Sequence, residues 1–157
     1  MNRSDLASQA SVHIDVTAEP IDAAAILDFV ADPSAGATVL FSGTVRDHSE
    51  GREGVTHLEY EAYEGVVVDK IGEVVSQAME QWPILRVAAV HRTGSLGVGE
   101  PAVMVAVSTA HRNDAFPACK FVIDELKRSV PIWKKEHWPG GAEWVREDLH
   151  HQKTDDR

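Results

Sequence analysis

Two lysines near the end of the chain have the strongest potential for chemistry. Lys127 lies one heptad after Lys120, beside a predicted buried helical stripe, and Lys134 follows the helix-breaking Pro131. A half-desolvated lysine beside other cations loses part of its preference for the ammonium form, so its neutral amine can act as a base or nucleophile. For any single lysine, the alternative is a solubilising surface charge. We predict that Lys127 and Lys134 form a catalytic pair.

Basic residues also stand at two strand ends. His111-Arg112 follows an apolar strand and precedes the last predicted helix, and Arg46 ends another apolar strand shortly after Gly43. Free backbone N–H groups and the helix dipole attract anions at a helix start, and an arginine adds a bidentate fork for phosphate or carboxylate. A capping residue and a surface arginine are the alternative at His111-Arg112. We predict an anion-binding role for Arg46, His111 and Arg112.

The charge distribution supports a small anionic ligand. The chain has a formal net charge of −10, yet residues 112–135 carry six of its 15 lysines and arginines and only three acidic residues. A local cationic region in an acidic protein favours a small anion and argues against nucleic acid as the main partner. A solvated helix face is the alternative explanation.

Other kinds of site lack a motif. The eight histidines are scattered, without an HExxH or paired Cys/His spacing, and no GxGxxG, Walker or GxSxG sequence occurs, so we expect neither a metal site nor a bound cofactor. The single cysteine, Cys119, falls on a buried helix stripe and is predicted to be an inert core thiol. No apolar segment reaches membrane-span length and no signal sequence is visible, so we expect a cytoplasmic protein without membrane contact.

Periodicity gives the elements that must position these residues. Strands are predicted near 12–16, 37–45, 55–63, 84–93 and 102–110, with two more after Pro131, and helices over 21–31, 64–82 and 114–130. This order, β-α-β-β-α-β-β-α-β-β, predicts a single α+β domain with a mixed or antiparallel sheet. The most apolar strand, 102–110, is expected to be central.

Local signals predict details of these elements. Pro20 is expected to open the first helix, and Asp114 to cap the last helix with Pro117 in its first turn. The polar segment 46–54 reads as a mobile loop and the glycine-rich segment 94–101 as a hairpin turn. One stripe of the last helix is predicted to be buried: Phe116, Cys119, Ile123, Leu126 and Val130.

Several segments together resemble one known family. In order, they are FSGTVRDHSEG (41–51), LEYEAYEG (58–65), VAAVHRTGSLGVGE (87–100), VSTAHRNDAF (107–116) and DELKRSVPIWKKE (124–136). They are similar to the successive signatures of the large, catalytic subunit of molybdopterin synthase, the MoaE family. The resemblance covers roughly residues 12–146, and its most specific part runs from Leu126-Lys127 to Glu136.

The resemblance implies a fold, an activity and partners. The family fold is an α/β-hammerhead-type α+β domain. The family enzyme is a sulfurtransferase that inserts two sulfurs into cyclic pyranopterin monophosphate, forming the dithiolene of molybdopterin. Sulfur arrives as a thiocarboxylate at the C-terminal Gly-Gly of a small ubiquitin-like subunit. Two large subunits form a homodimer at the centre of a heterotetramer.

The resemblance also implies roles for individual residues. Lys127 matches the family's essential lysine, and Lys134 matches its second lysine. The remaining matched positions are expected to bind substrate: Thr44, Val45, Arg46, His111, Arg112, Lys135 and Glu136.

Two other functions remain open at this point. A paralogue could bind a ubiquitin-like Gly-Gly tail or a phosphorylated ligand without chemistry, although an intact lysine pair argues against this. A cyclic-phosphate hydrolase would need a metal cluster or paired histidines. The domain is expected to span residues 11–146, with disordered ends at 1–10 and 147–157.

Overall fold

Apolar residues that alternate along the strands build two four-stranded sheets in the computed structural model, which describes residues 11–49 and 51–146. The strands are β1 (Val12–Thr17), β2 (Ala37–Thr44), β3 (His48–Ser49), β4 (Arg52–Glu53), β5 (His57–Glu61), β6 (Ile84–Arg92), β7 (Gly94–Gly97), β8 (Pro101–Thr109), β9 (Trp133–Trp138) and β10 (Gly141–Arg146). The helices are α1 (Ala23–Val30), α2 (Glu64–Gln81) and α3 (Arg112–Ser129).

The main sheet has the strand order β1-β6-β8-β2. β1 is parallel to β6, and the other neighbours are antiparallel. β8 is interior, as its apolar sequence predicts, and it is buried from Ala102 to Thr109. α1 covers one face through Ile26 and Val30, while α2 and α3 cover the other face and enclose the larger part of the core.

The second sheet has the order β10-β9-β5-β7 and is antiparallel throughout. Segment 94–101 connects the antiparallel strands β6 and β8, as the predicted hairpin turn requires, but it also contains β7: Gly94–Gly97 pairs with β5 before the chain turns into β8. Segment 46–54 is likewise not structureless, because β3 and β4 pair within it. β3, β4 and β7 are too short for an alternating pattern of apolar residues to be recognised in the sequence.

The helix starts differ from the predictions. α1 begins at Ala23, where Asp22 Oδ1 accepts from the Ala25 N–H at 3.1 Å, so Pro20 lies before the helix. α3 begins at Arg112, two residues early, with His111 at the N-cap position and without a side-chain cap. Asp114 is therefore in the first turn and is not the cap, and Pro117 is the sixth helical residue.

The buried face of α3 is rotated relative to the predicted stripe. Cys119, Ile123, Leu126 and Val130 are buried as expected, but Phe116 is 61% exposed. At 100° per residue the apolar face centres on Ala115, Cys119, Val122 and Leu126, which places Phe116 at its edge.

The fold confirms the predicted α+β class with mixed and antiparallel sheets and three helices in the described part of the chain. Among these residues, no helix combines the length and apolar character needed to cross a lipid bilayer. The predicted disordered ends at 1–10 and 147–157 lie outside the described residues.

Candidate active site

Arg46 lies two residues after the end of β2, where the chain leaves the main sheet. The register of β2 against β8 shifts between Gly43 and Thr44, so the strand is irregular at this glycine. A Cβ on Gly43 would lie 2.8 Å from Val103 Cγ1, so only glycine fits this close approach. The next residue, Val45, is buried, and its N–H and C=O both bond to the turn before β8. Anchoring Val45 in this way fixes the chain where Arg46 emerges.

Lys127, Lys134 and Glu136 come from α3 and β9. Lys127 lies in the last turn of α3, where a cation complements the helix dipole. Pro131 ends the helix, and the chain returns as β9 between β10 and β5. Alternate residues of a strand face the same side, so Lys134 and Glu136 point together toward the cavity.

These elements enclose a cavity of about 100 Å³. Five of the predicted site residues line it: Thr44, Arg46, Lys127, Lys134 and Glu136. The other lining residues are His48, Ser49, Val55, Leu58 and Tyr60. Three basic side chains therefore meet one carboxylate in a small space, which is an arrangement suited to an anionic group.

Glu136 is tied to the hairpin that follows Arg46. Its side chain is 1% exposed, and Oε2 accepts from Ser49 Oγ at 2.6 Å and from Arg52 Nη1 at 3.1 Å. The same guanidinium bonds Glu143 and lies over the Trp138 ring, 3.8 Å from its centroid. A buried carboxylate needs such partners, and here they close the cavity on the side of β3 and β4.

Four residues of the predicted site do not reach this cavity. Val45 faces the core, and Lys135 points to the opposite side of β9, with Nζ 5.5 Å from the Trp144 ring centroid. His111 and Arg112 are exposed at the start of α3. Because Lys127 is fifteen residues further along the same helix, about 22 Å separates the two ends. A single copy therefore does not bring His111-Arg112 to Lys127.

Ser49 and Arg52 were missed by the sequence reasoning. Both lie in a polar, glycine-containing segment whose composition is typical of solvated loops. Their partner Glu136 is more than eighty residues away in sequence, so no local spacing connects them. One signal in the sequence could have pointed to such partners: the strand pattern around Glu136 places this charged residue at an inward-facing position, where it needs a partner.

Cys119 is not part of the cavity. Its thiol is buried against the main sheet and donates to Val105 O at 3.6 Å. Burial raises the pKa of the Cys119 thiol from 9.0 to about 11. A thiol of this kind is a poor nucleophile at neutral pH, consistent with the prediction that it is inert.

A larger groove of about 620 Å³ shares Tyr60 with the cavity, but its Trp133 and Trp144 lie on the face of the second sheet opposite Lys134 and Glu136. It is lined by Tyr60, Glu61, Ala62, Tyr63, Thr93, Gly94, Trp133 and Trp144. Glu61 is the charged side chain among them, so this groove has no cation with which to hold an anion. The smaller cavity is therefore the candidate for chemistry.

Fold and cavity together define a small α+β domain with a cavity that is lined by basic residues and suited to an anion. Comparison with known proteins identifies the class of this domain. The model of the family described as "MoaE protein" matches residues 16–129. The molybdopterin synthase catalytic subunit of Staphylococcus carnosus is 44% identical over 131 residues, covering 83% of this chain and 87% of the relative. The molybdopterin synthase catalytic subunit 1 of Mycobacterium tuberculosis is 40% identical over 140 residues, covering 89% and 95%.

A solved structure agrees with these relatives. The crystal structure of molybdopterin synthase from Staphylococcus aureus matches with a TM-score of 0.77 and 37% identity, over 87% of this chain and 96% of that chain. The chain belongs to the MoaE family.

Proposed function

We propose that this protein is the catalytic subunit of a molybdopterin synthase, a sulfurtransferase. It transfers sulfur from the C-terminal thiocarboxylate of a small ubiquitin-like subunit to cyclic pyranopterin monophosphate, forming the dithiolene of molybdopterin. The observation that carries this proposal is the convergence of Arg46, Lys127 and Lys134 on one cavity in a chain of net charge −10. The reaction assigned to this cavity is inferred from the relatives at 40–44% identity, which are molybdopterin synthase catalytic subunits.

The charges of the reactants match the cavity. The substrate phosphate and the thiocarboxylate donor are both anionic, so bringing them together costs electrostatic energy unless cations lie between them. A preorganised cluster of cations offsets this repulsion without reorganisation during the reaction. At about 100 Å³ the cavity fits an anionic end group and is smaller than the roughly 300 Å³ or more of pockets that enclose whole ligands. The pterin rings must therefore extend beyond it.

The cavity residues have separate roles in this proposal. Lys127 acts as the general acid–base or as a transient covalent partner of the acyl group. Lys134, with Arg46 and Thr44, holds the anionic groups of the reactants. Glu136, fixed by Ser49 and Arg52, keeps β9 and thus Lys134 in place.

His111 and Arg112 fit this function only through a second copy of the chain. They lie about 22 Å from Lys127 along α3, so in a homodimer they would complete the neighbouring cavity. Mixing Lys127→Ala protein with Arg112→Ala protein tests this arrangement. If each copy lends Arg112 to its neighbour, mixed dimers contain one cavity with both residues intact, and activity returns. If the mixture stays inactive although subunits exchange, Arg112 does not act across copies.

The proposed reaction takes place in the cytoplasm, where a reduced Cys119 is expected. A binding module that captures a Gly-Gly tail without chemistry is the alternative. Purified protein, the pyranopterin precursor and a thiocarboxylated small subunit distinguish the two. Dithiolene product supports the synthase. Binding of the small subunit without product would favour the binding module.

A further inference from the structure

The outer face of the second sheet brings together two histidines and a glutamate from strands far apart in sequence. His57 on β5 pairs directly with His137 on β9, and Glu59 lies two residues along the same face. The imidazole rings stack with centroids 4.0 Å apart and planes 13° apart. His137 Nε2 lies 3.0 Å from Glu59 Oε1, and one ligand atom from each residue falls within 4.8 Å of the others.

A neighbouring hydroxyl orients one of these imidazoles. Thr56 Oγ1 donates to the His137 carbonyl oxygen at 3.3 Å, so its lone pairs face His57 Nδ1, 3.0 Å away. With the hydroxyl proton placed on the carbonyl, the His57 contact is assigned to the tautomer with Nδ1–H as donor. The lone pair of His57 then lies on Nε2. This is how metal-binding histidines are commonly held, with one ring nitrogen donating to the protein and the other available to the metal.

We propose that His57, Glu59 and His137 bind a divalent transition-metal ion of the zinc type. Two imidazole nitrogens and one carboxylate oxygen are a donor set that Zn²⁺ and its neighbours accept, whereas Mg²⁺ and Ca²⁺ prefer oxygen alone. Three protein ligands leave one position of a tetrahedral ion for water. Ligand distances of about 2.0–2.2 Å require donors roughly 3.4 Å apart. To share one ion, the stacked imidazole rings must turn out of their parallel arrangement so that both lone pairs point to it.

The surroundings of the site permit ion entry. The side chains of His137 and Glu59 are 21% and 40% exposed, although the Nε2 atom of His137 is itself buried beneath them. Lys135 pairs with Glu59 on the same face, and its ammonium group leans over the Trp144 ring. The ion would join β5 to β9 from the side opposite Lys134 and Glu136, and so it stabilises the strand that carries both. The proposal does not depend on the proposed function.

Metal titration of the full-length chain tests the site. His150 and His151 form an adjacent pair elsewhere in the sequence and would bind the same ions, so the parent protein carries His150→Gln and His151→Gln. Co²⁺ absorption and Zn²⁺ calorimetry then report coordination and stoichiometry. We expect one ion per chain and at least tenfold weaker binding in a further His137→Gln variant. His13→Gln is the matched control, because His13 contacts Phe29 away from this sheet, and it should leave binding unchanged.

Thermal unfolding adds a second readout. Zn²⁺ at a hundredfold excess over its Kd should raise the melting temperature of the parent by roughly 5–10 °C and leave that of His137→Gln unaffected. His57→Gln, on the other strand, should lose binding in the same way, which guards against a folding defect of one variant. The proposal is wrong if the parent binds no ion, or if His57→Gln and His137→Gln, folded by circular dichroism, bind as tightly as the parent.

Discussion

The contact between Arg52 and Glu136 predicts a specific pattern of stability losses. Arg52→Ala removes the guanidinium from a carboxylate that is 1% exposed and leaves Ser49 Oγ bonded to it. A charged hydrogen bond of this kind contributes about 1.5–3 kcal/mol. The guanidinium over Trp138 adds roughly 0.5–1 kcal/mol. The bond to Glu143, which is 58% exposed, adds about 0–1 kcal/mol.

These contributions give a loss of about 3 kcal/mol in the free energy of unfolding for Arg52→Ala. In a Glu136→Gln background the same change should cost only about 1 kcal/mol, because the buried charge is already absent. The coupling energy between the two positions is therefore about 2 kcal/mol. Glu143→Gln is the matched control, since it removes the exposed partner of the same guanidinium and should cost at most about 1 kcal/mol.

Urea unfolding at pH 7, followed by tryptophan fluorescence and circular dichroism, measures all four variants and the wild type. The coupling energy is calculated from the free energies of unfolding of the wild type, Arg52→Ala, Glu136→Gln and the double variant. The reasoning would be refuted if Arg52→Ala cost no more than Glu143→Gln, or if its cost were the same with and without the Glu136 carboxylate.

Three further predictions concern packing, reactivity and pH. Gly36→Ala should lower the free energy of unfolding by about 2 kcal/mol, because its Cβ would lie 2.4 Å from Ala110 O, whereas Gly65→Ala, which meets open space, should be neutral or stabilising in urea unfolding. Native Cys119 should resist a thiol reagent at pH 8, since at a pKa of about 11 roughly one thiol in a thousand is ionised; rapid labelling without urea would contradict this. The pKa of Glu100 lies below its usual value because the backbone N–H of Gly97, the last residue of β7, donates to its carboxylate. The stabilisation is therefore present above the unfolded pKa of 4.5 and lost as pH falls through the folded value. The difference in urea midpoint between wild type and Glu100→Gln should therefore shrink as the pH falls below 4.5, and a difference that persists in strong acid would contradict this.

The long helices and strands could be predicted from the sequence because each has one regular pattern of apolar residues along its length. The repeat of apolar residues in α2 and the continuous apolar run of β8 gave their type and burial correctly. The short strands were missed because β3, β4 and β7 have two to four residues, too few for alternation to appear. Their pairing is decided by partners elsewhere in the fold, as for β7 on β5.

The candidate site was predictable only in part, for the same reason. Lys127, Lys134 and Arg46 stood out through the resemblance and through strand and helix ends, and the fold gathers them in one cavity. The orientation of Lys135 away from Lys134 follows from strand alternation and becomes evident once β9 is known to be a paired strand. The cluster of His57, Glu59 and His137 depends on the register between β5 and β9, which no local spacing encodes.

Turnover by Lys127→Ala tests the central claim most directly, with Lys120→Ala as the matched control. Lys120 lies on the same helix, is 77% exposed and pairs with Asp124. Dithiolene formation from the pyranopterin precursor and a thiocarboxylated small subunit should fall at least about 100-fold in Lys127→Ala, with binding of the small subunit retained. Lys120→Ala should keep the wild-type rate. Near-normal turnover by Lys127→Ala, with Lys134 intact, would contradict the assignment of the cationic cavity as the site of sulfur transfer.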